Sequence, residues 1–422
     1  MVAEAARLRV VVAGGGVIGL WCARDLLRAG ADVTVLDRPD AGVSTPASAG
    51  WVVPALSAPL SGPGVVRHSV QSLLRREAAF SIRPRLSPTL VSWLWGFVRS
   101  GTETRHREGL RAILELAGDA AQEYEALLGS GVGFEIHRRG LVLVARTASG
   151  LREAQVLLDN AAAAGYGGKY EVLDRHELSS LEPALHPGVH GGVHARDEVH
   201  VRPEHLLTAL RADVESMGGT VRRDLSVAGI VPDGGRRWAV VTEQRSLPAD
   251  RVVIAAGIWS RTLLEGLGVT IPLLPAAGYS VTGHVDTPPE HAMKLMEPNV
   301  AVSPFDGGVR LAGRFALGRP PSSAARRETH RVLSAAAPYL RSGQPSVDRV
   351  EQVGLRPVTP DSLPVIGPVP GKDGVLVATG HGMLGLTLAP GTAAEITRLA
   401  TTGRGSDGAR TFSLDRLTRG GR

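Results

Sequence analysis

Apolar positions first gather in the run 8–13, Leu-Arg-Val-Val-Val-Ala, whose β-branched residues favour a buried strand and which runs straight into three glycines. Residues 17–29 then read as a helix closed by Gly30, and 32–36 as a second short strand ending at Asp37. An even strand–helix alternation does not follow. Segment 41–66 is a small-residue loop in which Pro46, Pro54, Pro59 and Pro63 forbid a continuous helix. Helical patterns return at 88–100 and 108–128. The first carries Trp93, Trp95 and Phe97, which read as core residues, with contact to a membrane or an electron acceptor as the other reading.

Further along, 135–146 turns into a buried strand, 151–164 forms a helix ended by Gly165, and 198–203 leads into a helix that Gly218 and Gly219 stop. Strand signals at 220–231 and 238–242 precede 250–260, a buried strand that runs into the small-residue turn Ala255-Ala256-Gly257. Segments 276–284, 300–304 and 309–314 read as a largely antiparallel sheet, with a helix at 326–339. Near the end, 375–379 is a strand and 387–399 a helix in spite of Pro390. The chain therefore leaves its first domain and returns to it, and 422 residues are too many for one ordinary core.

Charge adds little to this picture. The formal net charge of +6 comes from scattered arginines, with only three lysines, so no basic stripe points to nucleic acid. A single cysteine, Cys22, excludes a disulfide framework and a multi-cysteine metal site, and suits a reducing cytoplasm. The start Met1-Val2-Ala3-Glu4 lacks the pattern of a signal peptide, and the uncharged runs at 10–23 and 86–98 are too short to span a bilayer. The expected location is cytoplasmic, with attachment to the inner face of the membrane left open.

Chemistry enters with the glycines. Strand, Gly14-Gly15-Gly16-Val17-Ile18-Gly19, helix, strand and acid form a dinucleotide-binding unit. Gly14 permits the tight turn, Gly16 lets backbone approach a pyrophosphate, and Gly19 lets the helix pack on the strand. The N–H groups of the first helical turn then face the phosphates, and Asp37 faces a ribose hydroxyl pair. No basic residue stands at that position to receive a 2′-phosphate, and this unit alone does not separate NAD from FAD. The turn at Ala256 and Gly257 lets a cofactor lie across the strand before it.

A second fingerprint, Gly380-His381-Gly382-Met383-Leu384-Gly385, lacks a following strand and acid. Its N–H groups and positive helix end suit a different anionic group. Given FAD held by 14–37, that group is the N1–C2=O2 edge of the flavin. His381 reads as a turn histidine beside the flavin, with a general base as the competing role. Arg356, held by Pro357, is suited to grip a carboxylate through two hydrogen bonds; the competing reading is an ion pair with Asp361 or Glu351.

The first fingerprint, Gly278-Tyr279-Ser280-Val281-Thr282, Gly354-Leu355-Arg356-Pro357-Val358-Thr359-Pro360-Asp361 and Thr379–Gly385 together resemble the D-amino-acid oxidase and dehydrogenase superfamily, with bacterial D-amino-acid dehydrogenases nearest and glycine and sarcosine oxidases more distant. The resemblance spans nearly the whole chain. It implies an α/β fold: a Rossmann-like domain with noncovalent FAD (7–85, 190–265, 350–405), interleaved with an α+β mixed-sheet substrate domain (86–189, 266–349), then a tail at 406–422. It implies a carboxylate-binding role for Arg356 and a pocket-lining one for Tyr279. Flavin contacts are expected from Arg38, Ser48, Ala49, Gly50 and Val227; Ser48 stands where the nearest relatives have asparagine. The implied reaction is oxidative deamination of a small amino acid, a D-amino acid in first place, by hydride transfer from Cα to flavin N5 to give an imino acid that hydrolyses to a 2-oxo acid and ammonia, with an electron acceptor that is oxygen, a quinone or another carrier. Glycine, sarcosine, a proline derivative or a biosynthetic amine are alternative substrates, and a flavin-binding protein without catalysis is an alternative of another kind.

Overall fold

The computed structural model describes residues 7–38, 44–62, 80–82, 88–235, 237–318, 324–343, 345 and 349–418. The expected loop at 41–43 and 63–66, and the two ends at 1–6 and 419–422, lie outside the described residues.

The strand Arg9–Ala13 is apolar on both faces because both faces are covered: Val10 to Ala13 are at most 3% exposed. It lies inside a six-stranded sheet of order 220–222, 32–36, 9–13, 251–254, 375–379, 365–368, parallel except for the last strand. The helices Val17–Arg28, Pro203–Ser216 and Gly385–Thr402 cover one face. A three-stranded sheet (227–232, 238–242, 246–249) and the helix Ser260–Gly266 cover the other. Fingerprint and C-terminal turn therefore follow two parallel strands of one sheet, 9–13 and 375–379, that have strand 251–254 between them, and so lie at the same end of it.

A second sheet of nine strands runs 350–358, 274–283, 308–317, 300–305, 292–295, 141–145, 191–195, 170–173, with 80–82 paired to 308–317. It is antiparallel apart from the pairs 292–295 with 141–145 and 80–82 with 308–317. The helix Ala325–Ala336 packs on it.

Several expectations change. The helix expected at 108–128 is two helices, Glu103–Ala117 and Ala120–Gly129. Gly118 breaks it at φ 50°, and the Asp119 carboxylate caps the second by accepting the Gln122 N–H at 3.2 Å. The strand expected at 220–231 also divides: Thr220–Arg222 edges the six-stranded sheet, and Val227–Pro232 joins the three-stranded one. Strands Gly191–Ala195 and Val350–Val358, expected in the cofactor domain, pair within the nine-stranded sheet, because their ladders run to 141–145 and 274–283. Conversely, Ile113, Tyr124 and Leu127 from the expected substrate domain share a core with Trp21 and Leu388.

Pro390 inside the helix Gly385–Thr402 removes the N–H that would bond the Leu386 carbonyl. The Tyr124 hydroxyl donates to that carbonyl at 2.9 Å, so the freed acceptor is satisfied in a dry core. At the next residue, Gly391, an added Cβ would strike the Leu116 carbonyl, which makes this a close helix crossing.

Candidate active site

Three glycines of the first turn do three different things. Gly14 sits at φ 121°, where a Cβ would meet the Ala255 carbonyl. A Cβ at Gly19 would meet the Gly14 carbonyl, which is the close helix–strand approach expected of it. Gly16 has nothing nearer than the Thr45 Oγ1 at 3.8 Å, so its backbone opens onto free space. Asp37 Oδ1 accepts the Gly15 N–H at 3.0 Å and the Arg38 N–H at 3.1 Å. Arg211, from the helix Pro203–Ser216, lies 3.9 Å from the same carboxylate.

An open cavity with about 1350 Å³ of empty space runs from Asp37 to Gly385. The expected residues Gly14, Gly16, Val17, Ile18, Asp37, Arg38, Val227, Ala256, Gly257, His381, Gly382 and Gly385 all line it. Two helices open into it, Val17–Arg28 and Gly385–Thr402, and no side chain caps either N-terminus. Two uncapped N-termini present free N–H groups and two positive dipole ends to one elongated space. Those features fit a dinucleotide whose pyrophosphate lies at Gly16 and whose other end reaches Gly382.

Other expected residues lie outside the cavity wall. Gly380, at φ 78°, packs its Cα side on Thr359, and Leu384 is the half-buried N-cap of its helix. Met383 is 51% exposed. The loop residues Ser48, Ala49 and Gly50 face the nine-stranded sheet instead: the Ala49 carbonyl accepts the Ser303 hydroxyl at 2.7 Å, and a Cβ at Gly50 would strike the Val201 carbonyl. It is the preceding Ser44 and Thr45 that line the cavity. What holds this loop is Arg310, 2% exposed, which donates to the Pro46 and Ser48 carbonyls at 2.9 Å each and to Glu204 at 2.6 Å. Sequence reasoning missed it, although one arginine in the otherwise apolar run Val309–Leu311 was a visible signal.

His381 is tied to the helix that follows its turn. Its Nε2 lies 3.0 Å from the Thr392 Oγ1 in a buried setting, and burial lowers its pKa to about 3. A ring so weakly basic is neutral near pH 7 and a poor proton acceptor there. The linkage sign follows: unfolded histidine takes up a proton near pH 6.5 and the folded one does not, so this stability is present above pH 6.5 and lost toward pH 3. His381→Gln should flatten the loss of unfolding free energy between pH 6.5 and 4, measured by urea titration, and should not shift the pH profile of turnover.

Arg356 lies on the strand Val350–Val358; its neighbours Leu355 and Pro357 line the cavity, and its own side chain, on the other face of the strand, does not. Its guanidinium lies over Gly278, where any Cβ would collide with it, and 5.9 Å from the Phe315 ring centroid. Its Nη1 donates to the Arg314 carbonyl at 3.0 Å; a register shift between Ala277 and Tyr279 and a φ of 65° at Arg314 accompany that contact. Neither expected acid partner is present: Asp361 binds Arg416 at 2.7 Å, and Glu351 pairs with Arg349 at 3.4 Å. Among the described residues no carboxylate forms an ion pair with Arg356, and burial lowers its pKa to about 10. Tyr279 does not stand beside it. Successive strand residues face opposite ways, and Tyr279, 1% exposed, packs with Ala277, Ala316, Val353 and Leu355.

A family model described as FAD dependent oxidoreductase (DAO) matches residues 9–399. The D-amino acid dehydrogenase of Methylobacterium nodulans is 34% identical over 414 residues, covering 93% of this chain and 95% of the relative. That of Bradyrhizobium diazoefficiens is 32% identical, covering 91% and 93%. Among solved structures, glycine oxidase from Bacillus cereus superposes with a TM-score of 0.73 at 18% identity, covering 95% of this chain and 99% of that one. Iminodiacetate oxidase from Chelativorans sp. gives 0.72 at 20% identity, covering 96% and 98%. At such identities the two structures speak for the fold alone.

Proposed function

The chain belongs to the DAO family of FAD-dependent oxidoreductases, and we propose that it oxidises a small amino acid, a D-amino acid in first place, to the imino acid, which water converts to a 2-oxo acid and ammonia. The observation that carries this reading is Arg356: a half-buried cation with no carboxylate partner among the described residues, on the strand that walls the cofactor cavity. An unpaired buried charge is costly, and a substrate carboxylate supplies the missing partner. The relatives named D-amino acid dehydrogenase support the D-amino acid as substrate.

FAD supplies the two-electron acceptor for the Cα–H hydride. The residues around Gly16 hold its pyrophosphate, Asp37 its ribose, and Gly382 with the following helix start its flavin end. Attachment is noncovalent; Cys22, the single cysteine, is fully buried in a helix away from the cavity. Arg356 fixes the substrate by its carboxylate and so presents one face of Cα, which converts an encounter into an oriented reaction. His381, neutral and tied to Thr392, shapes the turn and moves no proton.

The test is anaerobic mixing of the yellow holoprotein with D-amino acids, L-amino acids, glycine, sarcosine and proline in turn. Bleaching by D-amino acids ahead of the others supports the reading. Bleaching by a secondary amine alone moves the substrate to that class, and a flavin that no amine bleaches makes this a binding protein.

The electron acceptor lies at a lipid surface in this reading. The helix Pro88–Ser100 buries Trp93 and Phe97, whose rings stack at 5.1 Å, and the Trp93 Nε1–H donates to the Val358 carbonyl at 3.0 Å. Its outer side leaves Val91, Trp95 and Val98 exposed by 57, 64 and 53%, one turn apart, with Arg99 at its end and Arg105 bonded to the Arg99 carbonyl. Trp95 thus departs from the core role expected of it. An apolar stripe with flanking arginines suits an interfacial contact with acidic lipids, and no described helix is long and apolar enough to cross a membrane. Trp95→Glu should lower co-sedimentation with phosphatidylglycerol vesicles about tenfold without changing dye-linked turnover. Equal vesicle binding by the variant would remove this surface from the proposal.

A further inference from the structure

Outside the cofactor cavity, Glu135, His137 and Asp306 set one ligand atom each within 4.8 Å of one another. His137 belongs to the short strand Ile136–His137, and Asp306 to the turn between strands Val300–Phe305 and Gly308–Leu317. The His137 Nε2 lies 2.9 Å from one Glu135 oxygen, and the His205 Nδ1, in the first turns of the helix Pro203–Ser216, lies 3.4 Å from the other. We propose that Glu135, His137 and Asp306, completed by His205, bind a divalent first-row transition metal of the Zn²⁺ type.

The argument begins with charge. Two carboxylates this close repel, and the nearby guanidinium of Arg202 answers only part of that repulsion. Arg202 lies 3.5 Å from Glu135 but donates at 3.0 Å to the Asp306 carbonyl, with its guanidinium 5.7 Å from the Phe305 ring centroid. A dication answers both carboxylates at once. Spacing agrees, since donors about 2.0–2.2 Å from a tetrahedral Zn²⁺ stand roughly 3.3–3.5 Å from each other. The 2.9 and 3.4 Å separations lie close to that figure, and the exposed Asp306 carboxylate, within 4.8 Å of the His137 and Glu135 ligand atoms, closes on the ion by turning about its own side-chain torsions.

Donor chemistry selects the metal class. Two imidazoles with two carboxylates favour Zn²⁺, Co²⁺ or Ni²⁺ over Mg²⁺ and Ca²⁺, which prefer all-oxygen shells. The His137 ring is already oriented: it stacks on His200 at 4.6 Å and 8°. His200 in turn meets the Pro304 carbonyl at 2.7 Å, which holds the stacked pair in place. Glu135 is itself oriented, since one of its oxygens accepts the Asp306 N–H at 2.7 Å. A metal here ties the turn at Asp306 to a strand and a helix. Phe305, next to that turn, lies 3.3 Å from the Cβ position of Gly50, at the end of the loop that Arg310 holds. The site therefore stiffens the support of the cofactor loop and takes no part in the oxidation.

The holoprotein, stripped of metals with EDTA and desalted, is titrated calorimetrically with ZnCl₂ and, separately, MgCl₂. One equivalent of Zn²⁺ should bind with micromolar affinity and raise the melting temperature, and Mg²⁺ should do neither. His137→Ala and Asp306→Asn should each weaken Zn²⁺ at least about tenfold, with the flavin spectrum unchanged. The spectrum certifies the fold of each variant, and His205→Ala, on an exposed helix position, serves should either variant misfold. No Zn²⁺ uptake in the micromolar range, or uptake that every variant retains, overturns the proposal and leaves the cluster as a network of ion pairs.

Discussion

Replacing Arg356 with methionine should remove turnover while leaving the holoprotein as stable as before, or more so. The two halves of that expectation have one cause. A half-buried guanidinium held among Gly278, Phe315 and the Arg314 carbonyl, without a carboxylate, is paid for by the fold and serves only when a carboxylate arrives. Substituting a buried charge by an apolar side chain of similar length is commonly neutral or stabilising. The substrate then finds its own carboxylate buried and unpaired, at a cost of about 3–5 kcal/mol. That corresponds to roughly 10²- to 10⁴-fold in kcat/KM. Arg356→Lys should recover part of it, because an ammonium restores the charge without the two-pronged geometry. The measurement is kcat/KM for the amino acid that bleaches the flavin most readily, beside a melting curve. A methionine variant that melts well below the parent but turns over normally would show Arg356 to be a structural group.

Much of this was legible in the chain because local rules and tertiary needs agreed. The run into Gly14, the helix from Val17 and the strand to Asp37 form one contiguous unit, and it folds as its residues dictate. Where the reading slipped, the deciding partner was remote in sequence. No local pattern says that 350–358 pairs with 274–283, since that ladder is set by which apolar faces meet across some seventy residues. Nor does small-residue composition tell which part of a loop faces the cofactor. Ser44 and Thr45 line the cavity and Ser48 to Gly50 do not, because Arg310, more than 250 residues away, pins the Pro46 and Ser48 carbonyls to the other sheet. In the motif Gly278-Tyr279 it is the glycine, not the tyrosine, that meets Arg356. The glycine makes room for the guanidinium of Arg356, and the tyrosine fills the opposite face.

Among the fingerprint glycines, substitution at Gly16 should separate cofactor binding from folding most cleanly. Gly14→Val and Gly19→Val both drive a side chain into backbone, at the Ala255 and Gly14 carbonyls, so each disturbs the sheet itself. At Gly16 nothing lies closer to a Cβ than Thr45 Oγ1 at 3.8 Å, and the backbone is extended at φ −76°, ψ 179°, a conformation open to any residue. A valine there fits the empty protein and fills the one space through which a pyrophosphate reaches the free N–H groups of the helix Val17–Arg28. Purified Gly16→Val should be folded by circular dichroism yet colourless. Its affinity for added FAD, followed by quenching of flavin fluorescence, should fall at least about a hundredfold, the loss expected when several charge-assisted hydrogen bonds go together. Gly382 gives the contrast. Its φ of 56° makes any side chain strained, but its N–H serves the Pro357 carbonyl at 2.9 Å, on the part of the cavity wall that the C-terminal turn forms. Gly382→Ala should therefore keep bound FAD, shift its visible spectrum and slow turnover. If both variants lost FAD equally, the two ends of the cavity would hold the same part of the cofactor, and the assignment of Gly14–Gly19 to the pyrophosphate and Gly380–Gly385 to the flavin would fail.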